Sequence, residues 1–206
     1  MQKWRARSLM ATALAVLSSS PSQAHLVSTR LGDFYDGALH PLTGFEFALP
    51  WLALVILAAL QGPARGRWLI LAFPIGLLLG AAISVWMPGL RFVEFANIAA
   101  IAGIGLLVAL ALPLSTPLFL GLCVLVGLAN GYENGEAMLF NTDRFLFICG
   151  VTAVGYAFAA LALALVSVFL KGPGGWRPIA LRAGGSWIAA VGIMVAGFQL
   201  STLYHG

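Results

Sequence analysis

Asp36, His40 and Glu46 are the first residues of this chain whose types and spacing suit chemistry. They lie in Asp36-Gly37-Ala38-Leu39-His40-Pro41-Leu42-Thr43-Gly44-Phe45-Glu46, which sets two carboxylates and an imidazole at the mouth of a hydrophobic run. The 206 residues contain seven acidic side chains and three histidines, and four of those ten fall between Asp33 and Glu46. Carboxylate and imidazole are metal ligands, and ionisable groups near a bilayer are costly to keep, so the segment is a candidate cation site. Asp36 and His40 are four residues apart and share a face if helical. Pro41 biases His40 away from helical angles and suits the start of a helix. Thr43 and Glu46 also have capping-box spacing, so a purely structural role for Glu46 is the competing expectation. A cap explains neither the nearby aspartates nor the histidine before the proline.

Two further groups extend the candidate site. His25 would become the mature N-terminus after cleavage at Ala24, offering an amine and an imidazole that together suit nickel, copper or cobalt. Asn130-Gly131-Tyr132-Glu133-Asn134-Gly135-Glu136 contains two Asn-Gly pairs and reads either as a turn-rich loop or as the polar end of a span. If helical, it stacks Asn130 with Asn134 and Gly131 with Gly135, and its oxygens (Asn130, Glu133, Asn134, Glu136) join the first cluster around one cation. The cysteines, Cys123 and Cys149, sit in apolar runs with no metal or redox spacing and are expected to pack as small hydrophobes.

The elements that must position these residues are membrane helices. The chain is 61% hydrophobic and 9% charged, against about 25% charged in soluble domains. The net charge of +4 forms no basic stripe, so nucleic acid is excluded as a partner. Residues 1–24 read as a secretory signal peptide: Lys3, Arg5 and Arg7, then Ser8 to Leu17, then Ser22-Gln23-Ala24. Residues 25–206 form the expected transmembrane domain, an all-α polytopic bundle of six helices near Leu42–Leu60, Trp68–Val85, Phe95–Leu112, Leu118–Ala129, Phe145–Leu170 and Ile179–Tyr204. The fourth is too short for a core needing roughly 20 residues and should extend into the polar segment after Ala129.

Cleavage and six spans put both termini outside. The loops facing inward then carry Arg65, Arg67, Lys171, Arg177 and Arg182, against Arg30, Arg91 and Arg144 outside, as the positive-inside rule expects. All seven carboxylates and His25, His40 and His205 fall on the outer side, which predicts an anionic vestibule that gathers cations. The many span glycines, including Gly76, Gly80, Gly103 and Gly105, predict close helix packing.

The signal peptide, the mature N-terminal histidine, six spans and the His-Pro-x-x-Gly-x-acid segment together resemble the HupE/UreJ family over essentially the whole mature chain. In the first family motif a histidine is followed after five residues by an acid and a second histidine. His40, Pro41, Gly44 and Glu46 match, and Phe47 stands where the second histidine would. The second motif has two His-Gly pairs four residues apart with a glutamate beyond. Gly131 and Gly135 match, Asn130 and Asn134 replace the histidines, and Ala137 takes the glutamate position beside Glu136. Asparagine is a weaker ligand for nickel than imidazole, and phenylalanine is none.

The resemblance implies a secondary permease for nickel or cobalt in the bacterial inner membrane, associated with hydrogenases and ureases and so with a metalloenzyme maturation system. The expected ligand or substrate is a divalent metal ion (nickel, cobalt or copper), the expected partner the lipid bilayer, with a homo-oligomer left open. No Walker motif occurs, so gradients rather than ATP would drive transport. A membrane sensor or metal-delivery accessory is the alternative. An enzyme is not expected, because no Ser-His or Cys-His pair shares a depth and no His-Glu-x-x-His occurs.

Overall fold

The computed structural model describes residues 32–205. The expected signal peptide and His25 lie outside these residues. Every regular element among the described residues is an α-helix: α1 Gly32–Thr43, α2 Phe45–Leu60, α3 Pro63–Trp86, α4 Phe92–Leu110, α5 Thr116–Glu136, α6 Arg144–Lys171 and α7 Trp176–His205. Five of them, α3 to α7, are long and apolar enough to cross a membrane, and the count reaches six if the bent pair α1–α2 is one span.

That pair departs from the expectation of a single helix from Leu42. Pro41 lies inside α1, not at the start of a helix. The chain then breaks at Gly44, whose extended backbone (φ −116°, ψ 131°) begins α2, and the two axes bend by 77°. Residues 45–60 alone rise about 24 Å, less than a hydrocarbon core of about 30 Å. α1 lies on the start of α6, where Gly37 approaches the Phe147 carbonyl and Gly150 approaches Phe34 and Ala38. Asp143 caps α6 by accepting the Leu146 N–H at 3.2 Å.

Lipid is as apolar as leucine, so helices in a bilayer associate through close packing rather than through the hydrophobic effect. Two backbone-close pairs result. On α3 and α5, Gly76 and Gly80 interleave with Gly127, Gly131 and Gly135; a Cβ on Gly76 would stand 2.7 Å from the Val124 oxygen, and one on Gly131 would strike the Leu77 carbonyl. On α4 and α7, Gly105 meets Ala189 and Gly192 meets Ala102. α2 fills the middle of the bundle: Trp51, Leu54 and Leu57 are buried, with Trp51 edge-on to Phe73 at 5.3 Å and Phe158 at 5.5 Å. Large apolar residues such as Leu125, Leu161, Leu165 and Trp187 face outward, as lipid contact requires.

The glycine packing also explains why α5 stays helical through Asn130–Glu136, as its four-residue spacing predicts. Glycine weakens an isolated helix by about 1 kcal/mol, but here it permits the backbone contact with α3 that holds the segment.

Candidate functional site

The bundle has an acidic end and a basic end. Arg65 donates to Leu114 O and Thr116 Oγ1, and Arg182 to Ala109 O at 2.9 Å, tying down the turns at the basic end. At the other end Tyr132 accepts the Leu90 N–H at 2.9 Å and donates to Met87 O at 2.7 Å. Glu136 accepts the N–H of Gly89 at 3.0 Å, which glycine's positive φ of 83° allows that turn to present. Together these bonds fasten residues 87–90 to α5.

Between α2, α4, α5 and α7 this end opens a cavity of about 580 Å³. Glu46 comes from the first turn of α2, Glu94 and Asn97 from α4, Glu133 and Glu136 from α5 and Gln199 from α7, with Arg91 as the one guanidinium in the lining. Gln199 donates to Glu94, joining α7 to α4. Glu133 is half-buried and within electrostatic reach of Asn97, Glu94 and Glu46. Four carboxylates against one guanidinium give the cavity a negative field that favours cations.

Behind Asn97 runs a buried chain of amides. The Trp51 indole N–H donates to Asn130 Oδ1 at 2.9 Å, and Asn130 Nδ2 donates to Asn97 Oδ1 at 2.7 Å. An indole nitrogen can only donate, so Asn130 must face it with oxygen and Asn97 must face Asn130 with oxygen. Asn97, 4% exposed, is left with its Nδ2 turned elsewhere, and that atom has no hydrogen-bond partner among the described residues. Buried donors are seldom unpaired, and Glu133 is the neighbouring acid.

The eight residues singled out in the sequence separate spatially. Glu46, Glu133 and Glu136 line the cavity. Glu46 forms no capping box: Gly44 is the N-cap without a side-chain bond, and the Thr43 hydroxyl donates to His40 O at 2.7 Å. His40 is half-buried with its ring 5.7 Å from Phe47 and 6.3 Å from Phe147, and Asp36 is exposed on α1. Asn130 has both carboxamide groups engaged with Trp51 and Asn97. Asn134 donates to the Asn130 carbonyl at 2.8 Å and keeps a buried Oδ1 without a partner. His25 is outside the described residues. No group of three or more His, Cys, Asp or Glu is arranged to hold a metal ion among the described residues.

Sequence reasoning did not place Glu94, Asn97 and Gln199 in this site. Glu94 and Asn97 are three apart on α4, a helical-face signal that was available. Gln199 gave none, since only the α4–α7 packing brings it there.

No curated protein and no solved structure matches the chain. The family model described as HupE / UreJ protein matches residues 12–195. That match spans the broken first helix, the polar end of α5 and nearly all of the bundle, and by it the chain belongs to the HupE/UreJ family.

Proposed function

We propose that the chain is a secondary permease for a divalent transition-metal cation of the nickel–cobalt class, captured at the acidic end of the bundle. The observation that carries this reading is the cavity of about 580 Å³ whose lining includes Glu46, Glu94, Glu133 and Glu136. A concave site of one charge sign raises the local concentration of counter-ions and orients their approach. Family membership supports the cation class, and the absence of a Walker motif supports gradient-driven transport.

In this reading the acidic end faces the periplasm, with both termini on that side, and the membrane is the bacterial inner membrane. His25, Asp36 and His40 collect cations at the rim, Glu46, Glu133 and Glu136 hold them, and Asn130 and Asn134 form the polar step behind. A metalloenzyme maturation system is the destination of the cargo. Radiolabelled metal uptake by expressing cells tests it, with wild type compared with the His40→Ala, Glu46→Ala double variant. Equal uptake refutes the proposal.

A second reading, a non-transporting metal sensor or delivery accessory, is favoured by one observation. The polar path from the cavity reaches Asn97, Asn130 and Trp51 and then meets the apolar core of Leu54, Leu57 and Phe73. Metal binding without flux in proteoliposomes selects this alternative.

A further inference from the structure

The donor atoms of the vestibule are oxygens. Glu46, Glu94, Glu133 and Glu136 supply carboxylates and Gln199 a carboxamide, and no imidazole or thiol is in the lining. The His40 ring packs against Phe47 and Phe147, and Cys123 is buried in the core.

Asn97 sharpens this donor set. It is 4% exposed, lines the cavity and has an Nδ2 without a hydrogen-bond partner among the described residues. Trp51 and Asn130 hold it so that its amide oxygen is used inside the bundle. A flipped Asn97 would turn its NH2 toward the Asn130 NH2, two donors face to face, so the carbonyl is withheld from the cavity. An N–H beside Glu133 binds one carboxylate oxygen and leaves the other for a cation. What the site offers is carboxylate and water.

Imidazole ligands suit nickel, copper and zinc, whereas carboxylate, carbonyl and water suit magnesium, calcium and manganese. The imidazole positions of the family pattern are occupied here by Phe47, Asn130 and Asn134. Resting on the cation-capture reading above, we infer that the vestibule is a carboxylate–water site that accepts manganese(II) on nearly the same footing as nickel(II), with Glu133 among its ligands.

The test uses the full chain purified in detergent and the same protein in proteoliposomes. Loss of the free manganese(II) paramagnetic resonance signal reports binding, and nickel(II) is the competitor. The expected result is manganese binding, with nickel displacing it at a concentration within about tenfold of parity. Glu133→Gln should weaken manganese binding about tenfold or more, since it removes a charged ligand. Phe47→His places an imidazole in the lining and should shift the competition at least about tenfold toward nickel. Wild-type displacement by nickel at a hundredth of the manganese concentration overturns the selectivity inference and leaves the permease reading standing, as does unchanged binding in a folded Glu133→Gln for the ligand assignment. Manganese binding with no flux of either metal sustains the inference and overturns transport. Failure to bind either metal overturns both.

Discussion

Asp33 Oδ2 accepts the backbone N–H of Asp143 at 2.8 Å, across 110 positions of sequence. Asp143 uses its own carboxylate to cap α6, so two acids meet at one helix start without competing for the same proton donor. The positive end of the α6 macrodipole offsets their mutual repulsion. Asp33 is therefore a latch for α1, as well as a member of the acidic end.

Asp33→Ala should release that latch while leaving the vestibule carboxylates in place. A lost hydrogen bond to a charged acceptor corresponds to about 1.5–3 kcal/mol when buried and less at an exposed site such as this one. The expected outcome is faster amide exchange across α1, read by hydrogen–deuterium exchange, with manganese and nickel binding changed less than by Glu133→Gln. Unchanged exchange in α1 would show that the Gly37–Phe147 and Gly150–Phe34 contacts hold the helix alone.

Trp51→Phe isolates the indole donor from the indole's bulk. The aromatic contacts with Phe73 and Phe158 remain largely available, but Asn130 Oδ1 loses its partner in a fully buried place. A cost of about 1–3 kcal/mol follows, visible as a lowered midpoint of thermal unfolding in detergent. Trp187→Phe, on the exposed face of α7, is the control and should change little.

Gly131→Ala should separate α3 from α5. The added methyl would meet the Leu77 carbonyl, backbone that has no rotamer to escape into. Overpacking of this kind costs about 1–3 kcal/mol. Gly121→Ala, on the same helix with no atom within 4 Å of the new Cβ, should be neutral or stabilising. Comparing the two unfolding midpoints separates a packing effect from a helix-propensity effect.

Gly44→Ala addresses Glu46 without touching its charge. The Glu46 carboxylate occupies the space that a Cβ at residue 44 would fill. The extended backbone of Gly44 accepts alanine, so the fold should survive while the carboxylate is displaced. Cation binding should weaken in the same direction as in Glu46→Gln, measured by titration of the free manganese signal. Full wild-type affinity would remove Glu46 from the ligand set.

The span positions and the helical course of Asn130–Glu136 were legible in the sequence, because apolar length and four-residue spacing are local signals. The break at Gly44 was less so. Pro41 suggested a helix start, yet Pro41 ends up inside α1, which stops two residues later and turns against α6. Capping-box spacing at Thr43 and Glu46 was equally ambiguous, and the Thr43 hydroxyl resolved it by bonding backward to His40. The site itself is a tertiary product. Glu94, Asn97, Glu133 and Gln199 come from three helices, and no spacing along the chain records that α7 lies on α4.

The two glycine-packed pairs have a mechanical consequence for the vestibule. Glu133 and Glu136 ride on the α3–α5 body, and Glu94, Asn97 and Gln199 on the α4–α7 body. Backbone contact inside each body is far closer than between α4 and α5, where the Asn130–Asn97 bond crosses the seam. Slippage along that seam changes the Glu94–Glu133 separation before it disturbs either body. The width of the cation's berth is thus a property of the joint, and the Asn130–Asn97 bond is its hinge pin.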